Sequence, residues 1–177
     1  MVKKFLIACI CLAAHGLFAQ NGTISPYSSF GIGDFRNNSS IDNRMMGGIS
    51  VYGDSIHINL QNPAAYSKLR LTTYTAAVSH TEFRLVDFTE EQNSSVTNLE
   101  YLAIGLPLSP KAGIGFGIMP FTSVGYNLED IATNTNGDEV TNVFAGEGGL
   151  NRVYFSAGGE VIKNVSIGAT VNFNFGT

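Results

Sequence analysis

A chain of 177 residues has room for one domain with a sizeable core and is short for two. Only 14% of its residues are charged, the net charge is −4, and Gly (20 residues), Asn, Ser and Thr fill the places that Lys and Glu take in most soluble proteins. No cluster of Lys and Arg is present to neutralise phosphates, so a nucleic-acid partner is excluded.

Residues 1–19 have the layout of a secretory signal: Lys3 and Lys4, an apolar run from Phe5, then small residues ending at Ala19. The run is too short to span a bilayer, which takes about 20 residues. Leu6-Ile7-Ala8-Cys9 resembles a lipoprotein processing box, but the apolar stretch ahead of Cys9 is only a few residues long, and an ordinary signal is the expectation. Cys9 and Cys11 both fall within it, so the exported chain has no disulfide, thiolate metal site or cysteine nucleophile.

Residues 20–70 carry turn residues without a sustained period, as in Ser25-Pro26-Tyr27, Gly31-Ile32-Gly33-Asp34, Gly47-Gly48 and Gly53-Asp54. Phe30, Phe35, Met45, Met46, Ile49, Val51 and Ile56 are scattered among them, which predicts a compact, irregular segment. Near its end, in Asn62-Pro63-Ala64-Ala65, Asn is a good helix N-cap and Pro suits the first helical position. A helix of one or two turns is expected there. An ordinary capped turn accounts for it as well.

From residue 71 onward the period changes to two. In residues 165–175, Val165, Ile167, Ala169, Val171, Phe173 and Phe175 alternate with Ser166, Gly168, Thr170, Asn172 and Asn174. Residues 152–161 alternate similarly, and Ile162-Lys163-Asn164 predicts a tight turn between the two runs. Residues 71–86, 98–108 and 112–127 supply further strands, about five in all by this period. The connections alternate: residues 87–97 and 128–150 read as long loops, and residues 109–111 and 162–164 as short turns. Long and short ends then fall on opposite edges, as in outer-membrane barrels. A secreted β-sandwich also alternates, but the long strands, the glycines on strand faces and the uncharged polar faces favour a barrel. The predicted fold is therefore all-β, an antiparallel transmembrane β-barrel in the outer membrane of a Gram-negative bacterium. It is incomplete, since about eight strands is the practical minimum for closure, and residues 20–70 precede it as a plug.

Little points to catalysis, a metal or a cofactor. The histidines after the signal, His57 and His80, lack partnered motifs. Gly53-Asp54-Ser55-Ile56 resembles the nucleophile block of GDSL-type lipases without a downstream Asp-x-x-His, so a Gly-Asp turn is expected. Glu90-Glu91, Glu129-Asp130 and Asp138-Glu139 fall in or beside the expected loops as solvated charges. Gly113, Gly115 and Gly117 strip one face of the third strand, and Pro120 removes a ladder donor in mid-strand. Two readings follow: a local break in the wall, or close packing of the glycine face against a plug.

The order signal, irregular segment, Asn-Pro-Ala element and amphipathic strands resembles the FadL-type outer-membrane transporters of long-chain fatty acids. The residues that carry it are Ser25-Pro26-Tyr27-Ser28, Met46-Gly47-Gly48, the stretch from Asn59 to Ala64 with Asn62-Pro63-Ala64 at its centre, and Gly148-Gly149-Leu150-Asn151. The resemblance implies uptake of a hydrophobic small molecule through a barrel bedded in outer-membrane lipid, with no covalent step. It makes Asn62, Pro63 and Ala64 hatch residues and places Gly115, Gly117 and Pro120 at a lateral opening. A structural or docking barrel of a secretion or surface-attachment system, or less readily an outer-membrane lipid hydrolase, is the alternative.

Overall fold

The computed structural model describes residues 22–86, 91–133 and 139–177. The expected signal over residues 1–19, and Glu90 and Asp138 of the expected loops, lie outside them. Five long strands, β2 (Thr73–Val86), β3 (Glu91–Ser109), β4 (Ala112–Thr133), β5 (Glu139–Ile162) and β6 (Val165–Gly176), form an antiparallel meander in the order β2-β3-β4-β5-β6. A two-residue strand, β1 (Asp34–Phe35), pairs with β4. Alternating directions leave the edge strands β2 and β6 running the same way. The all-β expectation holds, but the sheet is open and not closed into a barrel. Among the described residues no helix is long and apolar enough to cross a membrane, which says nothing of strands.

The short connections fall where the period predicts them. β5 and β6 pair down to Ile162↔Val165, and Asn164 closes the turn in the left-handed region that Asn tolerates. The expected long loops are mostly strand. β3 begins at Glu91, β4 runs to Thr133 and β5 starts at Glu139, so Glu91, Glu129, Asp130 and Glu139 lie in strands. Their Asn, Ser, Thr and Gly content reads locally as loop, yet cross-strand pairing gives each residue a ladder partner, from Tyr126↔Gly146 to Thr133↔Glu139.

The N-terminal segment lies on the polar, glycine-rich face of the sheet. It holds a 3₁₀ turn at Pro26–Ser29, one short α-helix, α1 (Ile41–Met45), capped by Ser40, and a 3₁₀ helix at Pro63–Lys68. The core sits in the seam between segment and sheet: Ile58, Tyr66 and Leu69 meet Ala77, Tyr101, Ala103, Met119 and Tyr154. The opposite face of the sheet is apolar and exposed, with Val153, Phe155, Ile167, Val171 and Phe173 outward.

Candidate functional site

The Pro63–Lys68 helix starts as the sequence predicts. Asn62 Oδ1 accepts from the Ala64 amide at 3.1 Å, and Pro63 occupies the first turn. Asn59, at the start of the stretch that carries the resemblance, holds the approach: its Oδ1 accepts from the amides of Gln61 (3.1 Å) and Asn62 (2.9 Å), while its Nδ2 donates to the carbonyls of Ser50 (2.6 Å) and Tyr52 (3.1 Å). One buried amide thus uses its whole donor and acceptor capacity to fix the chain before the helix.

The helix rests on glycines. Gly113, Gly158 and Gly168 are cross-strand neighbours on β4, β5 and β6. A Cβ at Gly158 would stand 2.0 Å from the Pro63 carbonyl oxygen, one at Gly168 2.4 Å from the Pro63 carbonyl carbon, and one at Gly113 2.5 Å from the Tyr66 carbonyl oxygen. Gly115 takes the Tyr66 ring, where a Cβ would be 2.2 Å away. Ser67 Oγ donates to the Ala64 carbonyl at 2.7 Å and pairs with Ser166 Oγ on β6 at 2.8 Å. Pro63 and Ala64 therefore meet the sheet backbone to backbone while Asn62 caps the helix from within the segment, and the glycine face of β4 packs against the segment at Gly113 and Gly115. Gly117 meets Tyr154 and the Leu102 carbonyl instead.

A second anchor was invisible to a period of two. The β2–β3 register shifts between Ala77 and Val78, leaving Glu100 as the extra residue between Leu99 and Tyr101. Such a bulge re-aims a side chain, and here Glu100 and Tyr101 are both buried. Arg36 and Arg44 reach the two oxygens of Glu100 at 3.0 and 3.1 Å, Ser79 donates to the first, and the Tyr101 hydroxyl accepts from the Ile41 amide. Glutamate in a strand of polar alternation gives no local sign of this; only the pairing register does.

The third feature is a fork. The β3–β4 ladder runs from Ser109↔Ala112 only to Leu102↔Ile118, although both strands continue far beyond. Above it β2–β3 and β4–β5 proceed as separate hairpins. A bulge at Phe121 interrupts the β4–β5 register after Pro120, and β1 joins the edge of β4 that β3 has left, pairing Asp34 with Ser123 and Phe35 with Thr122. Arg36 N donates to the Phe121 carbonyl and Gly125 N to Ser28 Oγ. Phe121 packs edge-on against Phe35 and under the Arg152 guanidinium. Gly117 and Pro120 thus flank the point where the strands part, while Gly115 lies below it in the paired region.

At Gly53-Asp54-Ser55-Ile56 the structure holds an Asx-type turn. Asp54 Oδ1 accepts from the amides of Ile56 (2.8 Å) and His57 (2.6 Å), and Oδ2 pairs with His57 Nδ1. That hydrogen bond is the main reason His57 titrates above its ordinary value, with Asp42 assisting at 3.9 Å and partial burial opposing. For Asp54, burial is the largest single influence and raises it. The hydrogen bonds from His57 and Ile56 outweigh burial and hold the carboxyl below its usual range. Among the described residues no three His, Cys, Asp or Glu side chains are grouped to hold a metal ion.

A family model described as BamG matches residues 1–177. No curated protein and no solved structure matches the chain. The family match overturns the FadL-type resemblance, and with it the expected uptake of fatty acids and the expected hydrophobic small-molecule ligand. The residues behind the resemblance explain why it misled. Asn62-Pro63-Ala64 and the glycines under it solve the problem of seating a helix on a sheet, and Ser28 satisfies a strand amide at the fork. These packing needs are common to any segment laid along a β-wall.

Proposed function

The chain belongs to the BamG family, and from that premise we propose that it serves as a component of the outer-membrane β-barrel assembly machinery. Membership associates it with the outer membrane and gives it protein partners. In this reading β2 to β6 are wall strands of a transmembrane barrel, the apolar face lies toward lipid, and residues 20–70 are a plug on the polar face. The observation that carries the proposal is the family match over the whole chain. The seam supports a structural role without covalent chemistry, because Glu100, Asn59, Asn62 and Ser67 are all engaged in fastening segment to sheet.

The test is isolation of the tagged full-length gene product from detergent-solubilised outer membranes. Co-purification with the barrel assembly machinery in stoichiometric amount is expected, as is a fall in folded outer-membrane barrels, read by heat-modifiable electrophoretic mobility, when the protein is depleted. Isolation without the machinery, together with unchanged barrel folding, overturns the proposal.

A further inference from the structure

Beyond the fork, residues 126–133 of β4 pair only with residues 139–146 of β5. Among the described residues no strand joins the fork-facing edge of β4 past β1. The upper part of the β4–β5 ribbon therefore presents an open edge along β4, a row of N–H and C=O groups that can template another extended chain. Its edge already accepts extended chain, since β1 adds to the same edge at Ser123 and Thr122. Gly33 (φ 91°) and Gly31 (φ 63°) flank the point where the N-terminal segment leaves it.

The side chains define what fits. Cross-strand partners share a face, so Phe144 and Val140 flank Asp130 on one side of the ribbon, and Ile131 and Val143 flank Glu129 on the other. Ile131 is 69% and Phe144 55% exposed. Between Lys111 and Arg152 the sequence contains no basic residue. We propose that the fork-facing edge of β4 over residues 127–133 is a strand-addition site for an extended segment of a protein partner rich in basic and apolar residues. Main-chain bonds would hold such a segment, and the carboxylate and the apolar neighbours that each face of the ribbon carries select its side chains. The inference stands on the ribbon and does not depend on which machinery the chain serves.

Main-chain direction supplies a selective variant. Gly125 N points to the fork, where it meets Ser28, so the alternating residues Asn127, Glu129 and Ile131 face the fork and Asp130 faces β5. Proline at 131 removes a fork-edge donor and spares the β4–β5 ladder. The probe is a fluorescent Lys-Val alternating octapeptide, titrated against the full-length protein in detergent by anisotropy, with a Glu-Val octapeptide as comparison. The Lys-Val peptide is expected to bind and to slow amide exchange at Glu129 and Ile131. Ile131→Pro should weaken binding about tenfold, the effect of a lost main-chain bond and a lost apolar contact together. Asp130→Lys, which leaves the backbone unaltered, should weaken it by a similar factor. Equal binding of both peptides, indifference to both variants, or no change in exchange at those amides overturns the proposal.

Discussion

Glu100 is the most consequential single residue of the seam, since one buried carboxylate accepts from two arginines of the N-terminal segment and a serine of β2. Removing one partner of a buried ion network costs about 3–5 kcal/mol because the remaining charges are left uncompensated. Arg44 retains some solvent exposure, so Glu100→Gln should lie near the lower end. The expected readout is faster tryptic cleavage after Arg44, with the sheet still resistant. At Asp54 and His57 the prediction concerns pH. His57 titrates above 6.5, so its contribution is full below that value and is lost as pH rises through the raised folded value. Asp54 titrates below 3.8, so its contribution is full above that value and is lost as pH falls through the lowered one. The turn is tightest between those limits. Protection of the Ile56 and His57 amides from exchange should fall on the alkaline side, and His57→Asn should abolish that limb. Only the turn itself was legible, as Gly-Asp: Glu100 looks like any strand glutamate, and the pairing of Asp54 with His57 left no local sign.

The Pro63–Lys68 helix and the glycines beneath it form a unit that local sequence half disclosed. The Asn62 cap and the proline start were readable from dipeptide chemistry, and Gly113, Gly115 and Gly117 announced an unusual strand face. What they lay against was not readable, because Gly158 and Gly168 come into line with Gly113 only through the register of three strands. A methyl group at Gly158 meets backbone at 2.0 Å, which cannot rotate away. Gly158→Ala should destabilise the docked segment by about 1–3 kcal/mol, the usual effect of overpacking. Gly159→Ala, one residue along and facing the other side with its nearest neighbour at 3.7 Å, should be tolerated. Urea denaturation followed by segment proteolysis separates the two. Asn62→Ala should cost about 1 kcal/mol as a lost cap and should loosen the same segment without disturbing β5.

At the scale of the molecule, the alternation in residues 165–175 was sufficient to orient the sheet, and the strand count came from the same period. Strand length was not, since polar extensions that pair only with each other look like loops. At roughly 3.3 Å per residue, the 22 residues of β4 span about 70 Å, against an apolar barrel band about 25 Å tall. Much of the β4–β5 hairpin therefore projects beyond any bilayer that its base occupies. Val171→Arg, on the apolar face, should impair membrane insertion by about 2–4 kcal/mol, whereas Asn172→Arg, its neighbour on the polar face, should not; partitioning into lipid vesicles reads the difference. The meander also carries a rule of arithmetic. Because its two edges point the same way, β2 and β6 could meet only as a parallel pair, and a second copy turned about a shared axis would likewise offer β6 a parallel mate. An all-antiparallel cylinder that included these five strands would need an odd number of others, and so an even total.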